Sequence, residues 1–184
     1  AAYAELSPGA TPGTKLVCLN ERFRRPGVYE VRFGTTVRDI CERLGGGLKD
    51  GAAIKALQIG GPLAGILPGS LLDTPFDFAP LAAHGCMVGH GGIVAFAEGT
   101  DMRALARHLL RFGAHESCGK CFPCRVGLVR ALEIVERPGA VDRAQLEELL
   151  ETLEVASLCA HGGGMPAPIR SIIKHWPAEL GLAA

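Results

Sequence analysis

Residues 28–47, VYEVRFGTTVRDICERLGGG, decide how the first half of the chain is read. From 28 to 33 apolar and charged positions alternate. Tyr29, Val31 and Phe33 fall on one face of an extended strand, and Glu30 and Arg32 on the other. After Gly34 the period changes. Thr36 and Asp39 have the spacing of a capping box, although that box prefers Glu or Gln at its second position. Val37, Ile40, Cys41 and Leu44 follow at i, i+3, i+4 and i+7, which makes one apolar stripe of a helix. Gly45-Gly46-Gly47 ends it, because glycine takes the left-handed stop without steric cost.

Further strands flank this unit. TKLVCLN (14–20) and AIKALQI (53–59, closed by Gly60-Gly61-Pro62) precede an irregular, glycine-rich stretch, and GIVAFA (92–97) is the last strand. Strands with one crossing helix imply a small mixed sheet wrapped on that helix, a β-grasp (ubiquitin-like) arrangement. From Thr100 onward the period is helical. Met102, Leu105, Ala106, Leu109 and Leu110 form a stripe that ends at Gly113. A second helix is predicted from about Cys124 to Glu136, with Val126, Val129 and Leu132 inward. A third opens at Asp142 and carries Leu146, Leu149, Leu150 and Leu153. A fourth starts near Pro168 with Ile169, Ile172, Ile173 and Trp176 and stops at Pro177. The fold class expected is α+β, a small β-grasp domain followed by a four-helix bundle.

Composition excludes several classes of function. Nineteen basic residues balance nineteen acidic ones among 184, so the basic excess that binds nucleic acid is missing. The 20 uncharged residues between Asp77 and Glu98 hold His84, His90, Pro80 and four glycines and lack a continuous apolar run, so no membrane span is predicted. The N-terminus has no signal-peptide pattern. Seven cysteines, an odd count at uneven spacing, argue against a disulfide scaffold. Cys18, Cys41 and Cys86 are solitary and read as small buried hydrophobes.

The other four cysteines differ in kind. Cys118, Cys121 and Cys124 follow each other at C-x2-C-x2-C, and 34 residues separate Cys124 from Cys159. Structural zinc usually takes two separated ligand pairs, whereas three thiolates wrapped by one loop with a distant fourth suit the corners of an iron–sulfur cubane. A [4Fe–4S] cluster is the leading reading; zinc and unligated thiols are the alternatives. Lys120, Arg125, His115 and His161 lie beside these cysteines and could offset a cluster's negative charge. Gly162-Gly163-Gly164 has no preceding strand and no GK[ST] sequel, so it reads as backbone passing close to the cluster, not as a phosphate cradle. His108 reads as solvated.

HESCGKCFPCRVG (115–127), with Cys159 in SLCAHGGGMPAPIRS, resembles the C-terminal domain of the flavoprotein NADH dehydrogenase subunit of the 51-kDa type, shared by respiratory complex I, NAD-reducing hydrogenases and NAD-dependent formate dehydrogenases. PGVYEVRFGTTVRDICERLGGG resembles the soluble-ligand-binding β-grasp domain that precedes it. LDTPFDFAPL and VGHGGIVAF resemble the link between the two, in a wording most like formate dehydrogenase beta subunits. The resemblance implies Cys118, Cys121, Cys124 and Cys159 as cluster ligands. It also implies FMN and NAD in a complete subunit, whose larger N-terminal domain holds them. By the same resemblance this chain starts at that domain's last strand, around GTKLVCLN. The layout expected is therefore a remnant of that domain at 1–20, a β-grasp domain at 21–97 and a four-helix iron–sulfur domain at 98–184. The function implied is electron transfer between the cluster and FMN/NAD, foremost in formate dehydrogenase. The alternatives are a complex I or NAD-reducing hydrogenase subunit, or a non-redox zinc-stabilised binding module. Implied partners are a [2Fe–2S] thioredoxin-like subunit and a molybdenum/iron–sulfur catalytic subunit, in the cytoplasm.

Overall fold

The computed structural model describes residues 2–7 and 9–182. The chain divides between Thr100 and Asp101 into two compact units.

The first unit is built on a five-stranded sheet in the order β2-β1-β5-β3-β4. β1 (Thr14–Leu19) pairs antiparallel with β2 (Gly27–Arg32) and parallel with β5 (Gly92–Ala97). β5 pairs antiparallel with β3 (Ile54–Ile59), which pairs antiparallel with β4 (Ile66–Pro68). The parallel pair requires a long crossover, and the helix read from the 36–47 segment lies within it. Thr36 Oγ1 accepts from the Asp39 backbone N–H at 3.1 Å, as the capping spacing implies. The turn Asp39–Leu44 is π-helical, closed by the Gly45 N–H on the Ile40 carbonyl at 2.9 Å. Val37, Ile40 and Cys41 are fully buried and join the core with Val17, Leu19, Val31, Leu57, Ile59 and Ile93 from one sheet face.

Residues 14–19 form β1 inside this sheet, paired with a strand on each side. Two expectations change here. The irregular stretch holds β4 and a short helix α1 (Phe78–Ala82). Cys18 is exposed, whereas Cys41 and Cys86 are buried as expected. The run LVCL is apolar on both strand faces; Val17 and Leu19 turn inward, which puts Leu16 and Cys18 outward. Burial pushes the Cys41 thiol up to about 12, which fits a structural, unreactive cysteine.

Asp77 ties the unit's N-terminal segment to α1. Its buried carboxylate accepts from the Phe78 N–H at 2.7 Å, from the Thr11 N–H at 3.2 Å and from the Thr11 hydroxyl. Burial alone would raise its pKa, but the hydrogen bonds from Thr11, Phe78 and Ala10 outweigh it and hold the carboxyl below the ordinary range. A depressed folded pKa contributes stability above the unfolded value of about 3.9, and that contribution is lost as pH falls through the folded value. Asp77→Ala is expected to cost the first unit about 1–3 kcal/mol at pH 7. In denaturant titrations of both proteins the difference should shrink below about pH 4; a pH-independent difference would contradict it.

The second unit is helical: α2 (Met102–His115), α3 (Leu128–Glu136), α4 (Arg143–Ala156), α5 (Ala160–Gly164), α6 (Pro166–His175) and α7 (Pro177–Leu180). Asp101 and Asp142 cap α2 and α4, accepting from the Ala104 N–H at 2.9 Å and the Gln145 N–H at 3.0 Å. Met102, Leu105, Ala106, Leu109 and Leu110 are buried as read, as are Leu146, Leu150 and Leu153, with Leu149 half-buried. Ile169, Ile172 and Ile173 are buried too, but their helix starts at Pro166, and the triple glycine forms α5 before it. The inward face of α3 differs most. Leu128, Ala131, Ile134 and Val135 are buried, while Val129 is 41% exposed. A π-helical turn, Pro123–Gly127, precedes α3. Its wider winding rotates the following helix relative to a pure 3.6-residue count. Among the described residues, no helix is long and apolar enough to cross a membrane.

Candidate functional site

The C-terminal end of α2 hands the chain into a short loop, where Gly119 adopts φ +75°, a conformation that a residue with a Cβ rarely takes. That reversal lets Cys118 and Cys121 sit on the same cavity as Cys124, which lies in the π-helical turn just after Pro123. Cys159 arrives from elsewhere, in extended conformation between α4 and α5. The cavity, about 310 Å3, is lined by all four of these cysteines together with Ser117, Lys120, Glu116, Phe112 and His161. No three His, Cys, Asp or Glu side chains among the described residues converge on one point as a single metal ion would need. All four thiols line the same cavity.

Cys124 is the buried member of the set; Cys118 and Cys159 are exposed and Cys121 half-buried. Burial raises the Cys124 pKa, opposed by its hydrogen bond with Ser117 and reinforced by the negative charge that Cys121, Cys159 and Cys118 would carry as thiolates. The Cys121 thiol is shifted the other way, chiefly by the Leu158 backbone N–H directed at it and then by that of Cys124. The Ser117 hydroxyl lies 3.2 Å from Cys124 Sγ and accepts from the Gly119 N–H at 3.4 Å. His161 Nε2 is 2.9 Å from the Gly113 carbonyl oxygen, which fixes the imidazole at the cavity wall.

The close approach of α5 to the cysteine loop depends on Gly162. A Cβ there would overlap Ser157 Oγ and stand 2.9 Å from Cys124 Cβ, inside contact distance of both. The expected passage of triple-glycine backbone near the cysteines is met, in helical form. Of the four basic neighbours named from sequence, Lys120 and His161 line the cavity, while His115 and Arg125 are exposed and do not line it. His108 is exposed, as read. Sequence reasoning does not single out Phe112, Glu116, Ser117 or Ser157. Only the place of Phe112 and Glu116 one and two turns beyond the α2 stripe could have pointed to them.

Four thiolates from two segments around one cavity fit a polynuclear iron–sulfur cluster better than a single tetrahedral ion. On one side of that cavity Gly162 lets α5 pack close to the buried Cys124.

Comparison with known proteins agrees with this chemistry. Residues 104–182 match the family described as the NADH-ubiquinone oxidoreductase-F iron–sulfur binding region. One of the F-type subunits of NADH-quinone oxidoreductase in Rhizobium meliloti (strain 1021) is 37% identical over 182 residues, covering 96% of this chain and 43% of the relative. The HndC subunit of the NADP-reducing hydrogenase of Solidesulfovibrio fructosivorans is also 37% identical over 182 residues, with 96% and 37% covered. The crystal structure of an NAD+-reducing [NiFe]-hydrogenase in the H2-reduced state superposes with a TM-score of 0.84 at 29% identity, covering all of this chain and 32% of that one. The chain thus spans about two fifths of the length of the curated relatives.

Proposed function

We propose that this chain, whose residues 104–182 match the NADH-ubiquinone oxidoreductase-F iron–sulfur binding region, is the electron-transferring part of an NAD-linked oxidoreductase subunit, with Cys118, Cys121, Cys124 and Cys159 as the ligands of its [4Fe–4S] cluster. One observation carries the assignment of ligands: these four cysteines, from two separate segments, line a single cavity. Bound there, the cluster would accept and release single electrons between a two-electron cofactor and further carriers. The chain's own residues supply the rest. Backbone N–H groups of Leu158 and then Cys124 lower the Cys121 thiol's pKa, in the direction that favours the thiolate iron needs. Lys120 and His161 at the cavity wall favour a net negative centre.

FMN and NAD belong, in this reading, to the complete subunit outside these residues. The sheet order 2-1-5-3-4 over one helix supports a β-grasp first unit through Thr100, and the packed helices from Asp101 support a four-helix iron–sulfur unit with α5 and α7 as short additions. The relatives, NADH-quinone oxidoreductase and hydrogenase subunits, favour a complex I or hydrogenase setting over the formate dehydrogenase setting that residues 72–81 and 88–96 suggest. With that change the molybdenum subunit loses its support as a partner. A [2Fe–2S] thioredoxin-like subunit remains the proposed neighbour. Reconstituted without oxygen, the chain is expected to show broad visible absorption that dithionite bleaches and air restores, with a paramagnetic signal in the reduced form. A colourless protein that binds zinc in place of iron would overturn the proposal.

A further inference from the structure

Ser157 Oγ, near the cysteine cavity, is shielded from solvent and has no hydrogen-bond partner among the described residues. It sits at the end of α4, two positions before Cys159. The place that a Gly162 Cβ would occupy lies within 3 Å of both Ser157 Oγ and Cys124 Cβ, so the hydroxyl stands beside the buried cysteine of the set. A desolvated hydroxyl without a partner is unfavourable, and native proteins seldom keep one unless something else meets it. On the other side of the same cysteine, the Ser117 hydroxyl is 3.2 Å from Cys124 Sγ. Ser117 Oγ already accepts from the Gly119 N–H, so its own proton is free to point at sulfur.

We propose that Ser157, together with Ser117, donates a hydrogen bond to the Cys124 sulfur when the cluster is in place, and that these two hydroxyls hold the cluster's reduction potential up. The inference rests on the ligand reading above. As free thiols, Cys124 and the serines need no fixed donor direction. A thiolate bound to iron has no proton and can only accept, and a buried thiolate calls for donors. Reduction adds one electron, part of whose charge is carried by the cysteinyl sulfurs. Donors directed at those sulfurs stabilise the reduced form more than the oxidised form. Cys124 is the thiol for which this matters most, since water reaches Cys118 and Cys159. Gly162 has a matching role, because any side chain there would displace the Ser157 hydroxyl from its place beside Cys124. Both serines are positioning residues that act through a ligand.

The test compares wild type, Ser157→Ala and Ser117→Ala in the full chain, reconstituted anaerobically with iron and sulfide. Iron content is measured first, then the midpoint potential by redox titration followed by electron paramagnetic resonance. Electron–nuclear double resonance in H2O and D2O reports exchangeable protons near the cluster. Wild-type iron content is expected in both variants, with a more negative midpoint in each and loss of one exchangeable-proton coupling per serine removed. Unchanged midpoint and couplings in a fully loaded Ser157→Ala protein would overturn the proposal. If Ser157→Ala does not load, Ser157→Cys, a weaker donor of similar shape, decides. Loading with a smaller shift of the same sign supports the proposal, and failure of both variants to load overturns it by assigning Ser157 a purely structural role. A wild-type chain that takes up no iron overturns the ligand reading itself, and the iron analysis separates that failure from the others.

Discussion

Cys121→Ser, reconstituted without oxygen, is expected to lose essentially all of the iron and visible absorption that the wild-type chain acquires. A hydroxyl oxygen is a harder and poorer iron ligand than thiolate, and serine does not ionise near neutral pH. Cys121 is the middle residue of the C-x2-C-x2-C loop, and its thiol is the one that backbone N–H groups from Leu158 and Cys124 favour as the anion. The controls are the cysteines of the first unit. Cys18→Ser alters an exposed strand position, and Cys41→Ser and Cys86→Ser alter buried ones. The two buried changes should cost about 1–3 kcal/mol of stability, since each buries a hydroxyl in place of a thiol. All three should keep their iron. A Cys121→Ser protein with full iron, or a bleached Cys18→Ser protein, would show that the seven cysteines have been sorted wrongly.

Removing the cluster is expected to loosen one unit and spare the other. The ligand loop precedes α3, and Cys159 lies beyond α4, so bound metal fastens together two points with both helices between them. An unfolded chain cannot present four thiolates at once, so the cluster's binding free energy adds to the folding free energy of this unit. The first unit has its own core, from Val17 on β1 to Ala97 on β5, and contains none of the four ligands. Amide hydrogen exchange on loaded and cluster-free protein should therefore show protection falling by at least about 100-fold across α2–α6, equivalent to about 2.7 kcal/mol. Protection in β1, β3 and β5 should change little. Equal loss in both units would contradict the independence of the two cores, and no loss in α2–α6 would mean that the cluster contributes nothing to the fold.

Where local chemistry repeats with a regular period, the sequence is legible. The alternation of Tyr29, Val31 and Phe33 and the stripe from Met102 to Leu110 become β2 and α2 nearly to the residue. The capping oxygens of Thr36 and Asp142 also do what their positions imply. Features set by neighbours distant in sequence are not legible. β4 is three residues long and exists because β3 offers it an edge. The phase of α3 depends on a π-helical turn after Phe122, which periodicity cannot foresee, so a regular count places Val129 inward although it faces out. Cys18 escapes the same logic because its strand is apolar on both faces and the sheet chooses the parity of burial. At the site, the three-cysteine loop, its distant fourth thiol and the close-packing triple glycine are legible from the sequence. Ser157 acquires meaning only because the end of α4 comes to rest beside Gly162 and Cys124.

Iron and acid-labile sulfide per chain, measured on anaerobically reconstituted wild-type protein alongside zinc, test the cluster assignment most directly. About four iron and four sulfide per chain are predicted, with zinc near zero. One zinc per chain with no sulfide, and no iron after reconstitution, would contradict it.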